Sequence, residues 1–426
     1  MSKNQLVRKV QSNKILIENF SYISALQIFI LLTPLITYPY LTRVLGTELY
    51  GLVITAQVLA SYAMIIVKFG FDDVSARYVS IHREEKKELA GIMSSIMAMR
   101  IVLWIASLGV YLSIVLLVPI YRNHFMLFFY SFGITFSTLL FPQFFFQGIE
   151  KMKYITAISV LIQSVFIILT FIVIKKPADY VYVPLLHAIG YLIGGIVALL
   201  IISKGYGINF HIPTRKQSLF YLKDALPLFA TDAVCTIKDK LNYLLLGVFV
   251  NMSDVVIYDI GSKLTNIAIK PLQIINTVIF PKMAKDKNNK QFKKFGVLIF
   301  VCIMLLTIGI NIFLHPIVYF LIGKDVPLLP IRLYLLSPLF LGLGSYIGHC
   351  LIVARGYNRF MFYSILLTTT IYLLLLVTLL FTHHLNTIMV FIGLTVASYF
   401  VELLYRIYIS RKILKDKGNY ILVGGK

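Results

Sequence analysis

Residues 258–273, YDIGSKLTNIAIKPLQ, place Lys263 and Lys270 inside a chain that otherwise reads as lipid-soluble. On a helix advancing about 100° per residue, Asp259, Lys263, Asn266, Lys270 and Thr277 fall within about 60° of one another, flanked by Ser262 and Gln273. The rest of the stretch is apolar. A charged side chain near the middle of a bilayer costs roughly 2.5–3.5 kcal/mol, so this polar stripe has to face protein or water rather than acyl chains. The stretch therefore predicts a membrane-spanning helix with one wet or paired face, and Pro271 beside Lys270 predicts a kink next to the charge.

The surroundings agree. Of 426 residues, 59% are hydrophobic and 14% charged, and the mean hydropathy is +0.84. A soluble domain carries ~25% charged residues. Apolar runs of ~20 residues, each long enough to cross ~30 Å of hydrocarbon as a helix, recur from end to end. Spans are expected near 20–42, 51–70, 92–118, 125–146, 155–174, 181–203, 226–250, 255–280, 295–320, 328–354, 361–381 and 388–409. The fold class expected is an all-α integral membrane protein of about 12 transmembrane helices in two six-helix lobes. The first apolar run, 21–41, has spanning length and no small-residue cleavage site, so no removable leader is expected. Cys235, Cys302 and Cys350 each lie in an apolar run, which suits small core side chains better than a disulfide framework or a metal cluster.

Charge orients the chain. Lys and Arg number 40 against 18 Asp and Glu, a net +22. With the N-terminus inside, 27 basic residues fall in inside segments, among them Lys3, Arg8, Lys9 and Lys14 before the first span. Only Arg43, Arg122, Lys175, Lys176 and Lys324 fall outside. That bias puts both termini in the cytoplasm and accounts for the basic loops without nucleic acid as a partner.

The two halves look related. "ELYGLV" at 48–53 resembles "VIYDIG" at 256–261, so that Tyr50 pairs with Tyr258 at a shift of 208. The same shift aligns Gly148 of "FFQGIEKMKY" with Gly356 of "VARGYNRFMF", and the basic loop 77–87 with 285–295. Six spans per half, each set starting from the cytoplasm, predict a parallel repeat with its axis along the membrane normal and the substrate path between the halves. The expected divisions are 1–203 as the N-terminal lobe, 204–224 as a cytoplasmic linker with an amphipathic segment around SLFYLKDAL, and 225–426 as the C-terminal lobe with a short tail.

Other spans carry polar residues too. In the seventh, Asp232, Asp239 and Tyr243 lie within about 40° on one face, with Lys240 to the side and Lys238 nearly opposite. The second aligns Gln57, Ser61 and Lys68, and Arg100 sits about two turns into the third from its inner end. Two readings compete. Asp239 neutralises Lys263 or Lys240 as a structural pair while Lys68 and Arg100 snorkel to the interface; or these faces line a cavity, richer in lysine than in carboxylate, that receives an anionic group. Lys270 favours the second, having no carboxylate one turn away on its own helix. Catalytic patterns are missing: His187 and His349 stand alone in apolar runs, His383 and His384 fall in an outside loop, and no nucleophile elbow, metal spacing or phosphate-cradling glycine loop occurs. No enzyme, cofactor or metal is expected.

Four segments carry a resemblance: YPYLTRVLGTELYGLV at 38–53, FGFDDVSARYVS at 69–80, FPQFFFQGIEKMKYI at 141–155, and YDIGSKLTNIAIKPLQIINTVIFPKMA at 258–284. In order and spacing the chain resembles, over nearly its whole length, the O-antigen and polysaccharide flippases, the polysaccharide transporter branch of the multidrug/oligosaccharidyl-lipid/polysaccharide exporter superfamily. The resemblance implies alternating access and a cationic central cavity. The cargo would be an undecaprenyl-diphosphate-linked oligosaccharide, moved from the inner to the outer leaflet of the bacterial cytoplasmic (inner) membrane. Membrane lipids and, as candidates, a polysaccharide polymerase and a chain-length regulator would be its partners. Arg43, in "YL-x-R-x-LG", and Lys263 carry over by motif position. The full expected binding set is Lys263, Lys270, Arg43, Lys68, Arg100, Lys240 and Asn266, with Asp239, Asp232 and Asp259 as coupling or ion-pair residues. One departure is that "FPQFFFQG" lacks the tryptophan common in relatives; the single tryptophan here is Trp104. The alternatives are a cation-coupled multidrug antiporter, for which a cavity led by carboxylates is expected, the lipid II flippase, and a membrane-embedded polysaccharide polymerase or ligase, for which a large external loop is expected.

Overall fold

The structure is a computed structural model that describes the backbone of residues 3–286 and 288–415, and side chains from Glu18 onward within that range except at 277, 278, 281 and 282. The side chains of Lys3, Arg8, Lys9 and Lys14 and the end of the basic C-terminal tail lie outside the described residues. Two compact units form, Met1–Ala233 and Val234–Lys426.

The first unit opens with α1 (Lys3–Lys68), which holds the first two expected spans and turns between them at Gly46, with φ 80 and ψ 163. That backbone region is open to glycine and strained for residues with a Cβ. Across the bend Tyr38 meets Tyr50 edge to face, with centroids 4.9 Å apart. Helices α2 (Phe71–Ile81), α3 (Lys86–Leu117), α4 (Pro119–Asn123), α5 (Phe125–Phe132), α6 (Phe136–Leu139), α7 (Gln143–Gly148), α8 (Met152–Val173) and α9 (Tyr182–Leu200) follow. α8 and α9 pack through small residues, as membrane helices do to bring backbones together: a Cβ on Gly190 would lie 2.8 Å from the Ile162 carbonyl. Phe71, Ile92, Met93, Ile96, Phe144 and Phe145 form the centre of the core.

α10 (Arg215–Phe249) includes the segment SLFYLKDAL in its opening turns and runs past the unit boundary. The second unit continues with α11 (Met252–Asp286), α12 (Asn289–Ile312), α13 (Leu314–Ile322), α14 (Leu329–Tyr334), α15 (Ser337–Ile347), α16 (Asn358–Phe381) and α17 (Ile388–Lys415). Asn288 starts α12 by accepting from the backbone of Lys290 and Gln291, an N-cap that satisfies otherwise orphaned donors. The core gathers Leu272, Ile299, Ile303, Tyr346, Leu351 and Ile352. Beside it, Asn242 donates to Thr395 at 2.8 Å and accepts from Tyr372 at 2.5 Å, closing a buried network with Tyr258.

The twelve expected stretches are largely helical, with breaks such as that at 140–142, and no strand occurs among the described residues. Nine helical stretches there are long and apolar enough to cross a membrane, the first of them, Glu18–Ile81, containing two expected spans. α10 and α11 are not among the nine. Leu117, Ile312 and Phe381 are 79%, 69% and 79% exposed, a surface that suits acyl chains and not water. α11 continues unbroken through Pro271.

Local geometry recurs in the two units. Tyr243 and Tyr258 repeat the edge-to-face pair of Tyr38 and Tyr50, again at 4.9 Å. Two helix ends also match: Lys151 donates to the Phe146 carbonyl with Glu150 at φ 58, and Tyr357 donates to the Ile352 carbonyl with Gly356 at φ 88. Both are left-handed helix stops. Their equivalent residues are Glu150 and Gly356, so the alignment of Gly148 with Gly356 is out of register by two here.

Candidate functional site

On α11 most of the apolar residues are buried, together with Asp259, Thr265 and Asn276, while Ile274 is exposed. Val255, Val256, Tyr258, Ile260, Leu264, Ala268, Ile269 and Leu272 are all at most 4% exposed, whereas Asn266 and Gln273 are exposed and Ser262, Lys263 and Lys270 half-buried. A lipid-facing helix shows the opposite arrangement. The part of the stripe from Ser262 to Gln273 thus reaches the surface and needs water or a polar ligand there; the side chain of Thr277 lies outside the described residues.

Within the stripe, Asp259 is buried and shared. It pairs with Lys263 one turn on and accepts from the Tyr243 hydroxyl at 3.3 Å, while the Lys240 ammonium sits 5.5 Å from the centroid of the same Tyr243 ring. Lys240 and Lys263 therefore flank one carboxylate. Lys270 makes no hydrogen bond and no ion pair among the described residues, which leaves this face positive on balance. Near the end of the stripe, Gln273 and Asn276 join Ser345 and His349 around a cavity of about 390 Å³. His349, whose Nδ1 donates to the Ser345 carbonyl at 3.0 Å, is one residue that sequence reasoning left aside.

A second group of charges in this unit is joined by ion pairs. Asp239 accepts from Tyr399 at 3.4 Å and lies 3.9 Å from Lys238. Lys238, only 7% exposed, donates to Glu402 at 3.0 Å, and Arg406 holds the other oxygen of Glu402 at 2.5 Å. The Arg406 Nε also donates to Ser364 at 3.2 Å. Glu402 and Arg406 stand one turn apart on α17, and that spacing is the signal from which this buried triad could have been foreseen.

In the first unit, Lys68 at the end of α1 donates to Asp232 on α10 at 2.9 Å. Arg100 does not snorkel. It is fully buried, donating to Asp72 at 2.6 Å and to the Thr138 carbonyl at 2.8 Å over the Phe144 ring. Asp72 lies in the first turn of α2, where the helix dipole favours an anion. Lys68 and Asp72 line one cavity of about 400 Å³. Arg43 is exposed, three residues before the bend at Gly46. The structure thus gathers Lys240, Asp259 and Lys263 in one unit, with Asn266 and Lys270 along the same face, and joins Lys68 to Asp232 in the other.

A family model described as "Polysaccharide biosynthesis protein" matches residues 16–287. Among curated proteins, a "Putative O-antigen transporter" of Escherichia coli (strain K12) is 26% identical over 279 residues, 65% of this chain and 66% of that protein. One of the same name from Shigella dysenteriae is 28% identical over 258 residues, 60% and 64% respectively. The matches span just under two thirds of the length of these relatives. Among solved structures, the lipid II flippase MurJ in an inward closed conformation aligns with a TM-score of 0.70 at 16% identity, over 91% of this chain and 87% of that one. An inward-facing MATE family transporter of the MOP superfamily gives 0.63 at 12%, over 91% and 96%. The fold is that of this transporter superfamily.

Proposed function

The chain belongs to the polysaccharide biosynthesis protein family, and from that premise we propose that it is a flippase, not an enzyme. Its cargo is an undecaprenyl-diphosphate-linked oligosaccharide, an O-antigen or capsule/exopolysaccharide repeat unit, carried from the inner to the outer leaflet of the cytoplasmic membrane by alternating access. The observation that carries this reading is the inverted burial of α11, with most of its apolar residues packed away and a positive stripe reaching the surface. Two features of a lipid diphosphate suit that surface. Its two or so negative charges form strong charge-assisted contacts with ammonium groups, and each ammonium held at membrane depth is itself relieved of a desolvation penalty when an anion arrives. The acyl chain needs no site, because it stays in the bilayer.

Attraction alone would trap the headgroup, so its release is driven. A membrane potential, negative inside, favours outward movement of an anion by about 2.3 kcal/mol per charge per 100 mV. Asp232, already bound to Lys68, is poorly placed to exchange a coupling cation. With both termini cytoplasmic, the collecting side is the cytoplasm.

The test is transport of a fluorescent undecaprenyl-diphosphate oligosaccharide in proteoliposomes. Lys270→Ala and Lys263→Ala are each expected to lower the rate by about tenfold or more, the scale of one lost charged hydrogen bond, with unfolding temperature preserved in Lys270→Ala. Wild-type rates in both variants would remove the stripe from the mechanism.

A further inference from the structure

We propose that the cavity of about 400 Å³ in the first unit is the pocket that recognises the glycan, as an uncharged polyol, apart from the stripe that holds the diphosphate. The inference rests on the flippase reading and adds to it a division of labour.

Charge separates this cavity from the α11 stripe. Its wall carries Lys68 and Asp72, but Lys68 is paired with Asp232 and Asp72 with Arg100, so two cations meet two anions. A diphosphate gains nothing from such a wall. Among its other polar groups Ser137 donates to the Met64 Sδ at 3.3 Å, whereas the side chains of Gln143, Ser159 and Gln163 all line the cavity and make no hydrogen bond to protein among the described residues. Two amides and a hydroxyl supply donors and acceptors in a mixed array, which matches sugar hydroxyls that both give and accept. An apolar guest would leave these groups desolvated and unpaired, at a cost of about 1–3 kcal/mol each.

The cavity also has the apolar platform that a sugar ring requires. Tyr191 forms part of its wall and ends a stack of three rings, with Phe166 and His187 4.0 Å apart and His187 and Tyr191 5.2 Å apart. Stacking holds the Tyr191 ring in a fixed plane against which the C–H face of a pyranose can lie. The volume falls within the ~300–1,000 Å³ of small-molecule sites. In the expected topology Lys68, Gln143 and Ser159 all lie toward the cytoplasmic ends of their helices, the side from which the glycan is collected.

Trp104 provides the readout. It is the single tryptophan, its Nε1 donates to Thr135 at 2.8 Å, and it stacks on Phe136, next to the cavity residue Ser137. The experiment titrates the purified chain in lipid nanodiscs with two probes while following Trp104 fluorescence and binding heat. One probe is the free oligosaccharide released by mild acid from lipid-linked intermediates of the source cells; the other is farnesyl diphosphate, which carries no sugar. Gln163→Met and Ser159→Ala are expected to weaken glycan binding by about tenfold and a few-fold and to leave farnesyl diphosphate binding unchanged, and Lys270→Ala to do the reverse. If Gln163→Met lowers the unfolding temperature, Gln143→Met takes its place. Glycan affinity indifferent to these substitutions overturns the pocket. So does saturable binding of farnesyl diphosphate with none of the glycan, an outcome that leaves the flippase reading standing. Binding of neither probe together with no transport of the lipid-linked oligosaccharide defeats both.

Discussion

Removing the Arg100 guanidinium leaves Asp72 without its cation and the Thr138 carbonyl without its donor, at a position where the arginine is fully buried. Breaking one side of a fully buried ion pair costs about 3–5 kcal/mol; Asp72 is 27% exposed and shares its cavity with Lys68, so Arg100→Leu should cost less than that but still lower the unfolding temperature in detergent or nanodiscs. Arg100→Lys should retain part of the stability, since an ammonium keeps the charge without the planar fork. An unchanged melt in Arg100→Leu would show that the pair contributes nothing. Glu402→Gln is expected to behave like Arg100→Leu, because it strands Lys238 and Arg406 together. Lys270→Ala should leave stability within about 0.5 kcal/mol of wild type while transport falls. Depth along a helix can be counted from the sequence, and that placed Arg100 at membrane depth. The partner could not be counted, because Asp72 reaches it from another helix after a turn in the chain.

At the scale of the element, α11 was the most legible part of the molecule. Helical periodicity fixes relative directions around an axis, so the alignment of Asp259, Lys263, Asn266 and Lys270 needed no tertiary information. The direction of Lys238 was misleading for the complementary reason. It points away from Asp239's face, yet away means toward Glu402 on α17, and no local rule names a helix so distant in sequence. The register of the repeat failed at one helix end because residue identity outweighed backbone state: glycine was matched to glycine, while the left-handed position belongs to Glu150. That conformation strains a residue with a Cβ by roughly 1–2 kcal/mol, part of which a glycine gives back through its freer unfolded chain. Glu150→Gly should therefore raise stability by about 0.5–1 kcal/mol, and Gly356→Ala should lower it by about 1 kcal/mol, both read by thermal unfolding. The exposed contact between Arg83 and Glu150, at 3.6 Å, is too weak to reverse the sign. A destabilised Glu150→Gly would mean that the strain is absent.

Across the whole molecule, hydropathy sufficed for the all-helical membrane class, and the loop charges for an expected orientation; neither revealed that many charges in the spans are paired. Lys68 finds Asp232, and Lys238 finds Glu402, each partner 164 residues further along the chain. Those pairings have a consequence in time. A ribosome adding ~5–20 residues per second needs roughly 8–30 s to make a segment of that length, so α10 reaches the membrane well before the helix that neutralises its lysine exists. A chain truncated at residue 385 keeps α10 and lacks α17, and thiol-reagent labelling of cysteines, or protease cleavage of tags, placed beside α10 should show that helix inserted incompletely; full insertion in the truncated chain would contradict this. On that expectation, biogenesis of the second unit waits on its last helix, and a message cut within the final spans yields a product in which Lys238 keeps Asp239, 3.9 Å away, but lacks Glu402.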